Sequence, residues 1–247
     1  MKIALCFFGL TRSLKYTIES IKENILKPLD DAKIDFDIYL HTYYFNGHYN
    51  NSHGNEKNIK LNFDEYKLLN PKFFKIQNQD VFKKNTDFTK YYNNLKKKSD
   101  YTIQTYHNYI CALNSLYQVT QLVIKNNIDY NYICYLRPDC KYTMKFNTRW
   151  LILAKKIKIL IPRFAKHGGF NDRFFIGNYK QGIEIGNSIL YLEHYIKNNI
   201  FNAEKFRKWI IINYCFKNTN PIIKYINFYF QRIRANGKCA ILDRRYI

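Results

Sequence analysis

The residues Ile3-Ala4-Leu5-Cys6-Phe7-Phe8 form a continuous apolar run at the start of the chain. Polar residues do not alternate with them, so a strand made from this run must be buried on both faces, as in a parallel sheet. The run stops at Gly9-Leu10-Thr11-Arg12-Ser13. Ser13 or Thr11 can cap a helix that carries Ile18, Ile21, Ile25 and Leu26 at helical spacing, and Lys27-Pro28 is expected to close it. Asp37-Ile38-Tyr39-Leu40-His41-Thr42 then reads as a second strand. Strand, crossover helix and strand predict an α/β protein with a Rossmann-like, mostly parallel central sheet flanked by helices.

The rest of the chain continues this rhythm. Residues 43–62 are rich in Asn, Gly, His and Lys without a period and are expected to form a mobile loop. Residues 63–100 suggest a short helix, a strand near Phe73-Phe74-Lys75-Ile76 and a basic polar connection. A helix is predicted over 102–124, with Ile103, Tyr106, Ile110, Leu113, Leu116, Tyr117 and Val123 on its apolar face, ended by Asn126-Asn127. Tyr132-Ile133-Cys134-Tyr135-Leu136 is the next buried strand and ends at Arg137-Pro138-Asp139-Cys140. A strand over 157–161 leads into a loop over 163–171, and Asp172-Arg173-Phe174-Phe175-Ile176-Gly177 resumes a strand. Helices are expected over 180–196 and 203–213, and strands over 228–243 around an Asn236-Gly237 turn. No repeat or linker interrupts the series, so residues 1–247 are expected to form a single domain.

Composition narrows the class. Hydrophobic residues make up 47% and aromatics 18%, far too apolar for a disordered tail. Residues 3–10, the longest apolar run, fall short of the roughly 18 that a transmembrane helix needs. Met1-Lys2 runs straight into the first strand with no signal-peptide pattern. Cys6, Cys111, Cys134, Cys140, Cys215 and Cys239 show neither C-x-x-C nor Cys/His spacing, so they read as reduced thiols and the protein as cytoplasmic. Forty Lys and Arg against 19 Asp and Glu give a net charge of +21. Two readings stand: a polyanionic partner, or the Lys-, Asn-, Ile- and Tyr-rich output of an A/T-rich coding sequence. The charge is spread along the chain, so it favours neither.

Chemistry is expected beyond the carboxyl ends of the strands, where open α/β sheets bind ligands. Gly9 after the first strand lets a ligand approach the backbone, the next helix N-terminus offers N–H groups to phosphate, and Arg12 adds a charge-assisted fork; a common turn is the alternative. Asp139, just past a buried strand, suits a divalent metal bridging a diphosphate, with an Arg137–Asp139 salt bridge as the alternative. A literal D-x-D, Asp35-Phe36-Asp37, precedes its strand and so lies at the wrong end of the sheet. Asp172 follows Gly168-Gly169, read as a mobile loop, and is a candidate general base; it could instead pair with Arg173. His41 is a candidate for binding a base or an acceptor, or a hydrogen-bonded structural residue. There is no nucleophile elbow, Walker loop, zinc spacing or G-x-G-x-x-G.

The ordered set IALCFFGLTRS, DFDIYLHTY, YICYLRPDC, IPRFAKHGGFNDRFFIGN and RIRANGKCAILDRRY resembles the GT-A-type glycosyltransferase-like proteins of bacterial surface-polysaccharide clusters and giant DNA viruses. The likeness runs over nearly the whole chain, and the order of the short motifs carries it. It implies a GT-A fold and transfer of a sugar from a nucleotide-diphosphate donor, a UDP- or GDP-sugar, to a glycan or protein acceptor. It implies Gly9, Thr11, Arg12, Arg137, Asp139, Asn171 and Asp172 as site residues. Joined to the reading of the residues themselves, this gives Gly9, Thr11, Arg12, His41, Arg137 and Asn171 as expected donor-binding residues, Asp139 on a divalent metal (Mn2+ or Mg2+) and Asp172 as the expected catalytic base. R-P-D stands where many GT-A enzymes carry D-x-D, so Arg137 could itself neutralise the diphosphate. Peripheral contact with an anionic membrane or glycan is a secondary expectation, and nucleic acid is not the expected partner. The rivals are a basic nucleic-acid-binding protein and an inactive glycan- or nucleotide-sugar-binding member of the same fold.

Overall fold

In the computed structural model, which describes residues 1–91, 102–155, 158–216, 222–241 and 243, the opening apolar run is strand β1 (Lys2–Phe8). Helix α1 (Leu14–Ile21) follows, passes through a widened turn over Lys22–Leu26 into α2 (Lys27–Asp31), and leads to β2 (Asp35–Tyr44). Next come β3 (Tyr49–Asn51), β4 (Glu56–Ile59), a 3-10 segment Phe63–Leu69, β5 (Phe73–Asn78) and α3 (Gln79–Asn85). The middle of the chain supplies α4 (Ile103–Asn126), β6 (Tyr132–Leu136), β7 (Cys140–Tyr142), α5 (Arg149–Lys155) and β8 (Lys158–Pro162). The remainder is β9 (Phe175–Asn178), α6 (Tyr179–Gly186), α7 (Leu192–Asn198), α8 (Ala203–Ile210), β10 (Ile222–Ile226) and β11 (Phe230–Arg232).

Seven strands make one sheet in the order β10-β8-β9-β6-β1-β2-β5. Every neighbouring pair is parallel except those made by β9, which runs antiparallel to both β6 and β8. The chain leaves β1 toward β2 and β5, then returns to its other side with β6. The carboxyl ends of β1, β2, β5, β6 and β8 therefore share one edge, and a switch point lies between β1 and β6. The expected α/β class with a mostly parallel central sheet is what forms.

The absence of alternation in β1 has the expected cause. Ile3, Leu5 and Phe7 face a core layer with Leu14, Ile18, Ile21 and Leu151, while Ala4, Cys6 and Phe8 face a second layer with Ile110, Leu116, Ile185 and Phe206. Each such buried aliphatic or aromatic side chain contributes about 1.5–3 kcal/mol. On the second layer α6 packs closely: a Cβ on Gly182 would lie 2.5 Å from Ile133 of β6, and one on Gly186 2.0 Å from Thr120 of α4.

Several expectations need correction. Pro28 does not close the first helix. A proline has no N–H for the carbonyl four residues earlier and crowds it. Here the backbone widens over Lys22–Leu26, and the carbonyl of Asn24 accepts instead from the N–H of Phe146 at 2.7 Å. Residues 43–62 are not a periodless loop. β2 runs on to Tyr44, β3 and β4 pair as a hairpin, and Asn55 and Asn58 take the left-handed backbone that Asn tolerates. The helix expected over 180–196 is broken by a 3-10 turn, Asn187–Tyr191. Strands β7 and β10 were not foreseen; neither has a flanking turn signal strong enough to mark it. The basic stretch over 92–100 lies outside the described residues. Among the described residues no helix is long and apolar enough to cross a membrane, and the cysteines are all free.

Candidate functional site: an arginine-lined cleft

At the open sheet edge the switch point leads into a cavity of about 970 Å3. Its wall includes Arg12 from the turn after β1, Arg137 directly after β6, Arg173 before β9, Arg232 at the end of β11, and Arg234. Three buried carboxylates hold these five guanidiniums in place. Asp139 is fully buried, and its two oxygens accept from Arg137 (Nε 2.9 Å, Nη2 2.8 Å) and from Arg12 Nη2 (3.1 Å). Glu56, 1% exposed, lies 3.6 Å from Arg12 and 3.7 Å from Arg234, and also accepts from Asn51 (2.9 Å) and the N–H of Ala235 (2.7 Å). Asp243, also 1% exposed, joins Arg173 (3.1 Å) to Arg232 (3.0 Å). Five guanidiniums against three carboxylates leave two positive charges in excess.

The electrostatics follow from this packing. Burial alone would raise the Asp139 carboxyl, but Arg137 and Arg12 overcome it and hold the group well below the usual carboxylate range. Asp243 is lowered in the same way, with Arg173 and Arg232 outweighing burial. Arg234 is pushed down by burial and by the neighbouring Arg12 and Arg232, the mark of a region already crowded with positive charge. The Nε of Arg12 and the Nη1 of Arg207, another residue of the wall, are buried without a hydrogen-bond partner among the described residues. Unpaired buried donors of this kind are rare and call for an acceptor.

The expected metal does not suit this arrangement. Both oxygens of Asp139 face guanidinium N–H groups, and a cation there would displace two positive charges already in contact. The described residues contain no group of three or more His, Cys, Asp or Glu placed to hold a metal. Asp139 is thus a counter-ion, the alternative raised by its position two residues after Arg137. The literal D-x-D lies at the opposite sheet edge as expected, with Asp37 bonded to Lys2 (3.0 Å), Lys72 (2.6 Å) and Tyr130 (2.6 Å).

Of the other expected residues, Gly9, Arg12, Arg137 and Asp172 line the cavity, whereas Thr11, His41 and Asn171 do not. Gly9 has φ +104°, but the space beside it holds Arg137, whose Cζ would lie 3.3 Å from an added Cβ. Its N–H donates to Ser115 Oγ at 2.7 Å and so is already paired. The start of α1 is closed as well, since Glu65 accepts from the N–H of Lys15 at 3.0 Å. Thr11 is buried, with its carbonyl on the N–H of Leu14. Asn171 is buried too, and braces its own loop by donating to the carbonyl of Phe164 and accepting from the N–H of Arg173.

His41 is fully buried against Tyr43, and its Nδ1 lies 2.8 Å from Ser115 Oγ. The Ser115 hydroxyl gives its hydrogen to the carbonyl of His41 at 3.0 Å, so Nδ1 must carry the ring proton. Burial, then the charge of Lys75, pushes this histidine down to about 3, and it stays neutral. Ser115 on α4 ties the ends of β1 and β2 together, and His41 is part of that tie.

Gly168-Gly169 is a packing device. Gly168 has φ +82°, and a Cβ on Gly169 would lie 1.9 Å from the carbonyl oxygen of Glu204. That carbonyl accepts the N–H of Phe170 at 2.9 Å, which docks the loop on the start of α8. The contact sets Asp172, with a 23% exposed side chain, beside Arg173 at 3.8 Å. Sequence reading did not single out Glu56, Arg232, Arg234, Asp243, Glu204 or Arg207. Only R-x-R at Arg232 and Arg234 is a local signal, two like charges two residues apart where a short strand ends.

The fold and the cleft together define an α/β protein with a recessed cationic site at the switch point of its sheet. A family model described as a domain of unknown function (DUF7796) matches residues 1–204, and the chain belongs to that family. Comparison with curated proteins gives no match. Among solved structures, the apo form of mouse xyloside xylosyltransferase 1 is similar at 12% identity and a TM-score of 0.40, over 92% of this chain and 85% of that one. The apo form of the glycosyltransferase GlyE of Streptococcus pneumoniae TIGR4 is similar at 11% identity and a TM-score of 0.40, over 85% of this chain but 43% of that one.

Proposed function

We propose that the protein is a glycosyltransferase whose arginine cluster binds the diphosphate of a nucleotide sugar, a UDP- or GDP-sugar, without a bridging metal. The observation that carries this reading is that five arginines, fixed by Asp139, Glu56 and Asp243, face one cavity at the carboxyl edge of the sheet. A guanidinium presents planar N–H forks that match phosphate oxygens. Because the carboxylates already hold these forks, little reorganisation is needed as charge develops on the departing diphosphate. The recess suits a small phosphorylated ligand better than the convex backbone of a duplex.

Other residues of the wall support an acceptor rich in hydroxyls. They include the amides of Asn46, Asn50, Gln79, Gln104 and Asn108 together with Tyr43 and Phe45. In this reading a glycan or glycosylated protein lies there, and Asp172 takes the proton of its attacking hydroxyl. The test is calorimetric titration of UDP, GDP, UDP-glucose and GDP-mannose in EDTA, with uridine and guanosine as controls. Binding of a diphosphate that persists in EDTA and far exceeds its nucleoside is expected. No binding by any of the four would overturn the assignment.

A further inference from the structure

Glu204 stands at the second position of α8, 7% exposed and in the wall of the cavity that also holds Asp172. Its backbone is fixed on both sides: its carbonyl accepts from Phe170, and the Asn202 side chain caps the helix by accepting from the N–H of Lys205 at 2.8 Å. Its carboxyl group meets its own backbone N–H but, unlike Asp139, Glu56 and Asp243 nearby, has no side-chain hydrogen-bond or ion-pair partner among the described residues. A carboxyl so largely buried without a cationic partner is costly to ionise. A group of this kind at a cavity wall is available to a ligand.

We propose that Glu204 and Asp172 form a functional carboxyl pair in the wall of the cavity, in which Glu204 presents an O–H to a substrate hydroxyl while Asp172 receives the acceptor's proton. The role at an acceptor rests on the sugar-transfer reading; the pair itself does not. In a direct displacement the acceptor oxygen bonds to the anomeric carbon as its proton passes to the Asp172 carboxylate. The bond from that carbon to the diphosphate oxygen breaks, and its electron pair leaves with the diphosphate. Glu204 keeps its proton throughout. Two carboxyl groups that face one cavity do not both ionise easily, so Glu204 stays protonated while Asp172 carries the charge.

The surroundings agree. Asp172, Arg173 and Arg232 act on Glu204, His167 and Arg207 line the same cavity, and Lys205 is its neighbour in α8. Burial pushes Glu204 up first and the charge of Asp172 second; its own backbone N–H, Arg173 and Arg232 pull it down, and the outcome is about 8. The group is therefore protonated at neutral pH, whereas an unfolded glutamate titrates near 4.3.

The test uses the whole protein and two variants. Melting temperature is measured from pH 5 to 9 for wild type, Glu204→Gln and Asp172→Asn. Wild type should lose stability as pH rises through this range, because the unfolded chain releases its proton at lower pH than the folded one. The Gln variant should lack that loss, and Asp172→Asn should move it to lower pH by removing the neighbouring charge. Should Glu204→Gln fail to fold, the shift in Asp172→Asn carries the test. Parallel curves for wild type and both variants would overturn the pair. Hydrolysis of UDP-glucose and GDP-mannose supplies the second readout, with an alkaline limb in wild type that Glu204→Gln lacks. Curves that differ as expected, with no binding of UDP or GDP, would overturn the role at an acceptor and the sugar-transfer reading together, and leave the titrating pair standing.

Discussion

The Cβ position of Gly169 falls 1.9 Å from the carbonyl oxygen of Glu204, so the loop before β9 and the start of α8 touch backbone to backbone. No side chain fits between them. Gly169→Ala must separate the two segments, and overpacking of this kind costs typically about 1–3 kcal/mol. Urea denaturation should show that loss. Because Asp172 and Glu204 lie on the separated segments, nucleotide binding should survive better than any acceptor-dependent turnover.

Asp139 lies between two guanidiniums, Arg137 and Arg12, the second of which it shares with Glu56. Asp139→Asn keeps its shape and removes its charge, leaving Arg12 and Arg137 buried side by side. Breaking a buried pair from one side costs about 3–5 kcal/mol. A drop of this size in the urea midpoint is expected, together with indifference to added Mn2+ or Mg2+. A variant as stable as wild type would show that the carboxylate does not hold the cluster.

The depressed carboxylates give the protein an acid limit. Asp139 and Asp243 bind protons less readily folded than unfolded, so their contribution is complete above the unfolded value of about 3.9 and is lost as pH falls through the folded values. Denaturation midpoints between pH 6 and pH 2 should hold, then fall steeply below about pH 4. A flat profile across that range would mean that neither carboxylate is paired in solution.

Arg232 is 19% exposed and shares Asp243 with Arg173, so its removal leaves the carboxylate compensated. Arg232→Ala should preserve the fold and weaken UDP or GDP binding about ten- to a hundredfold, the range for a charged hydrogen bond of about 1.5–3 kcal/mol. Nucleoside binding should change little. Equal loss for nucleoside and nucleotide, measured by calorimetry, would move Arg232 away from the phosphates.

The scaffold was legible where the code is local. β1 and β6 announce themselves by unbroken apolar runs, and α4 by its helical spacing and the Asn127 that ends it at φ +49°. Arg12, Arg137 and Asp172 were placed in the cleft because each follows or adjoins a strand end. What could not be read was pairing. Nothing near Glu56 in sequence says that Arg234 will meet it, and nothing near Asp139 says that it will be fully buried; both depend on the sheet having assembled. The proline at 28 misled because its relief comes from Phe146, more than a hundred residues away. His41, Thr11 and Asn171 were attractive as polar residues near strand ends, yet His41 and Thr11 are spent on holding the ends of β1 and β2 together, through Ser115 and Thr42, and Asn171 on bracing its own loop.

Two of the five arginines and one of the three carboxylates belong to residues 232–243, which reach back across the sheet edge to the turn after β1. All seven strands of the sheet precede these groups in the chain. Without them Arg173 lacks Asp243 and Glu56 lacks Arg234. A chain cut before Arg232 would therefore keep every sheet strand and lose two guanidiniums and one carboxylate from the cluster, so the charge arrangement of the recess and the scaffold beneath it are encoded in separate stretches of sequence.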